Sequence, residues 1–242
     1  MRGTEPLRLP GPSGPLAAVL HRPARPPAPL VIACHGLLSS MDSPKYFALA
    51  EALAEAGLAC ARFDFSGCGK SAGTRAETTV ARRVAELAAV AQALSAHRTV
   101  VASSLGLMGS SLGGFIALCH AERDPRVRAV VTWAAPADLK DLVVEEDLLL
   151  GYGLGRPLLE ELERGEGLEA PAGVARCLIL HGAADVLVPP SHARALYARA
   201  AEPKDLAILP GADHVFSDPG ARGEALSGTV AWFRRFLLDG AP

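Results

Sequence analysis

The 242-residue sequence has no long hydrophobic run, no excess of either charge and no closely spaced cysteine pair. Each absence removes a class of function. Its apolar stretches break within about ten residues, well short of the roughly 20 that a membrane-spanning helix needs. The N-terminal MRGTEPLRLPGPSGP has no continuous apolar core, so no secretory leader is expected there and the expected location is cytoplasmic. A formal net charge of −2 gives no electrostatic reason to expect nucleic acid or a membrane as partner. The five cysteines (Cys34, Cys60, Cys68, Cys119 and Cys177) form no C-x-x-C. Several sit inside apolar runs, which predicts reduced, buried thiols rather than disulfides or a metal site. Neither a metal nor a cofactor is implied. Lysine is scarce, with Lys45, Lys70, Lys140 and Lys204 beside 20 arginines. Taken as composition, that bias says nothing about mechanism.

What is present reads as alternation. Half of the residues are hydrophobic and 21% are charged, and the length suits one α/β domain, residues 1–242, or two small ones. LRLPGPSGPLAAVLHRP reads as an edge hairpin around a Gly/Pro turn. From Leu30 onward, apolar strands (LVIACHG, LACARFDF, LGLMGS, VRAVVTWAAP, RCLILHG, LAILPG) mostly alternate with helical patterns such as SPKYFALAEALAEAG and TTVARRVAELAAVAQAL. ALSGTVAWFRRFLL reads as the closing helix. This order predicts a mostly parallel twisted sheet of about eight strands with helices on both faces. One segment breaks the rhythm. Residues 136–173 are too long for an ordinary crossover and carry ten acids against three bases, a net −7. They read as a short helical cap inserted into the domain.

The stretch FDFSGCGKSAG, residues 63–73, imitates a phosphate-binding loop. That loop needs G-x-x-x-x-G-K-[ST], and the position of its first glycine is held by Asp64. A helix should also open at the Lys-Ser pair to face the phosphates, yet Ala72-Gly73-Thr74 continues as loop. The nucleotide-binding reading is the weaker one.

Two stretches match G-x-S-x-G, the pattern that places a nucleophilic serine at a sharp strand-to-helix turn. GKSAG (residues 69–73) runs on into loop, whereas GSSLG (residues 109–113) follows an apolar strand and leads directly into a helix. Ser111 is therefore the candidate nucleophile; otherwise it is an ordinary serine at a helix start. A serine needs a base and a group that orients the base. HGAADVLVP puts Asp185 beyond one strand, and GADHVFS puts His214 beyond the next. Serine, acid and histidine in that chain order, each past a strand's C-terminal end, form the expected triad. His21, His97, His120 and His192 fit the base less well, because they lie within helices or away from carboxylate-bearing loops. CHGLLSS offers the remaining part: the backbone N–H of Leu37, with that of Leu112 after the nucleophile, is the expected oxyanion hole.

These motifs together resemble the α/β-hydrolase superfamily over about Leu30 to Leu238. Within it the chain is most similar to small bacterial carboxylesterases of the cinnamoyl/feruloyl esterase type and to serine aminopeptidase-like hydrolases. The resemblance implies an esterase acting on small-molecule esters through an acyl-enzyme. Two departures stand out: Ser110 occupies the place where many members have histidine, and the cap is shorter than in typical cinnamoyl esterases. The same triad would serve an aminopeptidase or amidase, for which Glu145, Glu146 or Asp147 in the cap could hold an N-terminal ammonium. A non-catalytic binding protein on this fold usually lacks a triad member, and none is missing here.

Overall fold

The computed structural model describes residues 3–140, 150–165 and 167–240. Eight strands form one sheet: β1 (Gly3–Leu9), β2 (Leu16–Arg22), β3 (Ala28–Cys34), β4 (Ala59–Phe63), β5 (Val100–Ser110), β6 (Val127–Trp133), β7 (Cys177–Gly182) and β8 (Lys204–Leu209). Their spatial order is β1-β2-β4-β3-β5-β6-β7-β8. The edge hairpin β1–β2 is antiparallel, β2 joins β4 antiparallel, and every later pairing is parallel. The mostly parallel eight-stranded sheet is as the alternation predicts.

The reason for the layering is visible in β3. Its side chains alternate between two separate cores: Leu30, Ile32 and Cys34 enter one, Val31 and Ala33 the other. A strand buried on both faces must be apolar throughout, and LVIAC is. The first core is closed by α2 (Val80–Ser95) and α3 (Leu112–Ala121), through Leu87, Val90, Phe115 and Ile116. The second is closed by α1 (Pro44–Glu55) and a C-terminal helix, through Tyr46, Leu49, Trp232 and Phe233. Two further helices complete the described set of six, α4 (Arg156–Arg164) and α5 (Ser191–Arg199), before α6 (Pro219–Phe233).

Two boundaries differ from the sequence pattern. β5 begins at Val100, five residues before LGLMGS, because Val100 pairs with Ala28 across an irregularity in the ladder. α6 begins at Pro219, well before ALSGTVAW. Asp218 caps it, accepting from Ala221 N–H, and proline occupies the first turn where its missing donor is not needed.

Within the insertion, residues 141–149 and 166 lie outside the described residues, and with them the suggested ammonium anchors Glu145, Glu146 and Asp147. Its described part is tied to the body. Leu154, Leu158 and Leu168 are buried in the α2/α3 core. Glu161 accepts the Val80 and Ala81 N–H groups that open α2. A carboxylate there meets both unpaired donors and the positive end of the helix dipole. The five cysteines are free and buried, as their apolar settings predict. No described helix is long and apolar enough to cross a membrane.

Candidate functional site

Strand order reverses around β3, with β4 on one side and β5 on the other. In open parallel sheets the crevice beyond the strand ends at such a reversal is where ligands bind. The loops leaving β3 and β5 meet there. Ser111, between β5 and α3, has φ 55° and ψ −131°, a backbone conformation that non-glycine residues rarely hold. Small neighbours make the turn possible. A Cβ on Gly109 would lie 2.2 Å from the Gly113 carbonyl oxygen, and one on Gly113 would lie 2.2 Å from that of Cys34. Gly36 sits against the serine itself, where an added Cβ would be 3.3 Å from that of Ser111.

Asp185 and His214 arrive from the β7 and β8 ends and meet. His214 Nδ1 and Asp185 Oδ2 are 2.8 Å apart. The carboxylate only accepts, so Nδ1 carries the proton and Nε2 is left bare. Asp185 is buried and its other oxygen accepts from Leu187 and Val188 N–H. Burial would raise its pKa, but hydrogen bonds from His181, His214 and Val188 N–H outweigh it and hold the carboxyl below the usual range. Ser111 and His214 line one cavity of about 600 Å³, together with Leu37. No hydrogen bond joins the Ser111 hydroxyl to His214 or to another described residue. In an empty site such contacts are often long and tighten only around substrate.

Leu37 and Leu112, the expected oxyanion-hole donors, follow the ends of β3 and β5. Leu112 opens α3, so its N–H has no acceptor within the helix. Leu37 leaves the β3 end beside Gly36 and lines the cavity. The remaining histidines have partners elsewhere: His21 with Glu51, His97 with Thr99, His120 with Asp124, and His192 with Ala137 N–H. Among the described residues no group of three His, Cys, Asp or Glu side chains is placed to hold a metal.

Four residues of the site escape the motif reading. His181 is wholly buried, its Nε2 2.8 Å from the Val188 carbonyl and 3.3 Å from Asp185 Oδ2, so it backs the acid. His35 is fixed in one neutral tautomer, donating from Nδ1 to the Gly36 carbonyl and accepting Phe65 N–H at Nε2. Burial, reinforced by the Arg83 charge, pushes its pKa down to about 3. Arg83, buried on α2, donates to the Gly36 and Leu37 carbonyls and stacks on Phe65, bracing the same loop from below. Lys45, in the first turn of α1, lines the cavity and donates to Ser110 Oγ at 2.8 Å. The strand-final HG pairs at His35 and His181 were the available signal for two of them; Arg83 and Lys45 are brought in by helices whose pattern announces only amphipathicity.

The loop that imitates a phosphate site is scaffold. Asp64 is buried, with Oδ1 accepting Met41 N–H and Oδ2 accepting Lys70 N–H. Ser71 Oγ accepts Ala17 N–H and donates to the Asp64 carbonyl. Gly69 has φ 48°, and a Cβ there would lie 2.1 Å from the Asp64 carboxylate. The Lys70 ammonium points away to Asp42.

Among characterised structures, the fold is shared with the esterase domain of a Rhodothermus marinus protein (27% identity, 97% of this chain and 99% of that chain, TM-score 0.71). It is shared also with XC6422 of Xanthomonas campestris, described as an α/β serine hydrolase without lid (26% identity, 95% and 94% covered, TM-score 0.70). By sequence the chain is 31% identical over 196 residues to the uncharacterized protein YfhR of Escherichia coli K12, a match covering 78% of this chain and 64% of YfhR. Residues 25–162, more than half the chain and including the Ser111 turn, match the family described as "Serine aminopeptidase, S33". The chain spans less than two thirds of the length of YfhR, and it belongs to the family described as serine aminopeptidase S33, built on the α/β-hydrolase fold.

Proposed function

We propose that the protein cleaves carboxylic esters of small to medium size through an acyl-enzyme on Ser111. One observation carries this reading: His214, 2.8 Å from Asp185, shares a cavity with a serine held in a strained turn. His214 Nε2 takes the hydroxyl proton as Ser111 Oγ bonds to the carbonyl carbon, then returns it to the departing alkoxide. Water, activated by the same nitrogen, attacks the acyl-enzyme and frees the acid and Ser111. Asp185 keeps the imidazole in the required tautomer and stabilises its charged form. The N–H groups of Leu37 and Leu112 receive the negative charge that develops on the carbonyl oxygen. His35 and Arg83 hold the first of these donors in place by fixing the Gly36 and Leu37 carbonyls.

The family description keeps an aminopeptidase or amidase in view. The ester reading is put first on the likeness to the esterase domain of the Rhodothermus marinus protein, with which the chain shares 27% identity. We read residues 136–173 as a cap within a single domain, and a cytoplasmic location as the setting that suits five free, buried thiols. The test uses 4-nitrophenyl acetate and butyrate, then aminoacyl 4-nitroanilides. Ester turnover that disappears in Ser111→Ala supports the assignment. Undiminished turnover in that variant overturns it, and anilides hydrolysed faster than matched esters would transfer it to the peptidase reading.

A further inference from the structure

The cavity beside Ser111 has an unbalanced charge. Its described lining contributes two cations, Lys45 and Arg222, and no carboxylate. Arg222, in the first turn of α6, has Nη1 on the Phe216 and Ser217 carbonyls, neutral acceptors that leave its charge uncompensated. Lys45 is more unusual. It is partly buried, and its described hydrogen bond goes to the neutral hydroxyl of Ser110. Asp213 pulls on the ammonium through space without forming an ion pair, its own oxygens accepting from Val215 and Ser217. Lys45 also stands at the positive end of α1, where a cation is disfavoured by the helix dipole. A partly buried ammonium is stabilised by a charged partner in contact, and no described carboxylate forms an ion pair with this one. Burial lowers its pKa to about 8, which still leaves it protonated at neutral pH.

We infer that the cavity takes esters that carry a free carboxylate, and that Lys45 holds this carboxylate with Arg222 as the second positive charge of the lining. The inference rests on the reading of the cavity as an ester-hydrolase site. The bound anion would supply the missing countercharge to Lys45 and place the ester bond by the end of the substrate that does not react. Binding energy of that kind is drawn from a remote group and orients the reacting carbonyl.

The test compares 4-nitrophenyl hydrogen adipate with 4-nitrophenyl methyl adipate, which differ only in the remote carboxylate. Wild-type kcat/KM should favour the carboxylate by about tenfold, the scale of one charge-assisted contact. The ratio should fall to about one in Lys45→Gln and stay well above one in Lys45→Arg. Calorimetric titration with adipate reads binding apart from turnover, and wild type should bind it about tenfold more tightly than Lys45→Gln. Turnover of the methyl ester with no preference for the carboxylate overturns this inference and leaves the hydrolase reading intact. A preference that survives unchanged in Lys45→Gln also overturns it. Adipate binding that depends on Lys45, with neither ester cleaved, upholds the anion site and overturns the hydrolase reading instead.

Discussion

GSSLG and GKSAG are the same five-residue pattern in one chain, and the fold uses them in opposite ways. At Ser111 the chain turns from β5 straight into α3, and no described group hydrogen-bonds the hydroxyl. At Ser71 the hydroxyl bridges Ala17 N–H and the Asp64 carbonyl, so both its roles as donor and acceptor are taken. Ser111, the proposed nucleophile, is projected by a strained backbone, and no described neighbour satisfies its hydroxyl. The other serine is a fastener. The five letters are common to both; the helix that opens after GSSLG and the loop that continues after GKSAG separate them.

The contrast is broken most severely at the turn. Ser111→Ala should lower kcat by about a millionfold, as removal of the nucleophile from such a triad does. Ser71→Ala should leave kcat within about threefold but cost about 1–3 kcal/mol in urea unfolding, by orphaning a buried N–H. Comparable losses of both quantities in the two variants would erase the distinction. Asp185→Asn should come next, with kcat falling by up to about ten-thousandfold because the wrong His214 tautomer is then favoured.

Gly69→Ala and Gly113→Ala probe the backbone of the two motifs. Both place a methyl group about 2 Å from existing atoms, the Asp64 carboxylate in one case and the Cys34 carbonyl in the other. Each should lower the thermal midpoint. Gly113→Ala should also reduce the fraction of active sites labelled by a fluorophosphonate, whereas folded Gly69→Ala should label fully. Equal labelling in the two would show that the elbow tolerates what its geometry forbids.

The smallest effect concerns Lys45. Folding lowers its pKa from 10.5 to about 8, because burial disfavours the ammonium while Asp213 opposes this only in part. The unfolded chain therefore binds more protons between these values, and the lysine contributes a rise in stability as pH increases through that window. The buried Cys60, Cys119 and Cys177 act in the opposite sense, since burial raises their thiols to about 12, 11 and 12. The lysine contribution is thus the difference between wild type and Lys45→Met in urea titrations across that range. The variant should be the more stable at neutral pH, and the gap should close toward the alkaline end. A gap that is independent of pH would mean that the ammonium is not desolvated.

Much of this was legible in the chain. Strands buried on both faces must be continuously apolar, which marks β3 and the Leu178–Leu180 run of β7 without ambiguity. The order Ser111, Asp185, His214 places three chemistries at one edge of a parallel sheet, because every parallel strand ends on the same side. Boundaries were less legible where local signals compete: the start of β5 depends on a single ladder contact with Ala28, and Asp218-Pro219 announces α6 earlier than its apolar pattern does. The role of Glu161 was not legible, since it meets the N–H groups of a helix some 80 residues away in the chain.

The sequence by itself determined the layers and the chain order of the proposed Ser111, Asp185 and His214 set, because periodicity and turn chemistry are local properties that survive translation into a line of letters. Tertiary structure alone decided that Phe65 N–H holds His35, that Arg83 braces the Gly36–Leu37 loop, and that Lys45 stands beside Ser110 without an ion pair to a described residue. Those depend on contacts between residues tens of positions apart, and on the burial that turns an ordinary lysine into a charge in need of a partner.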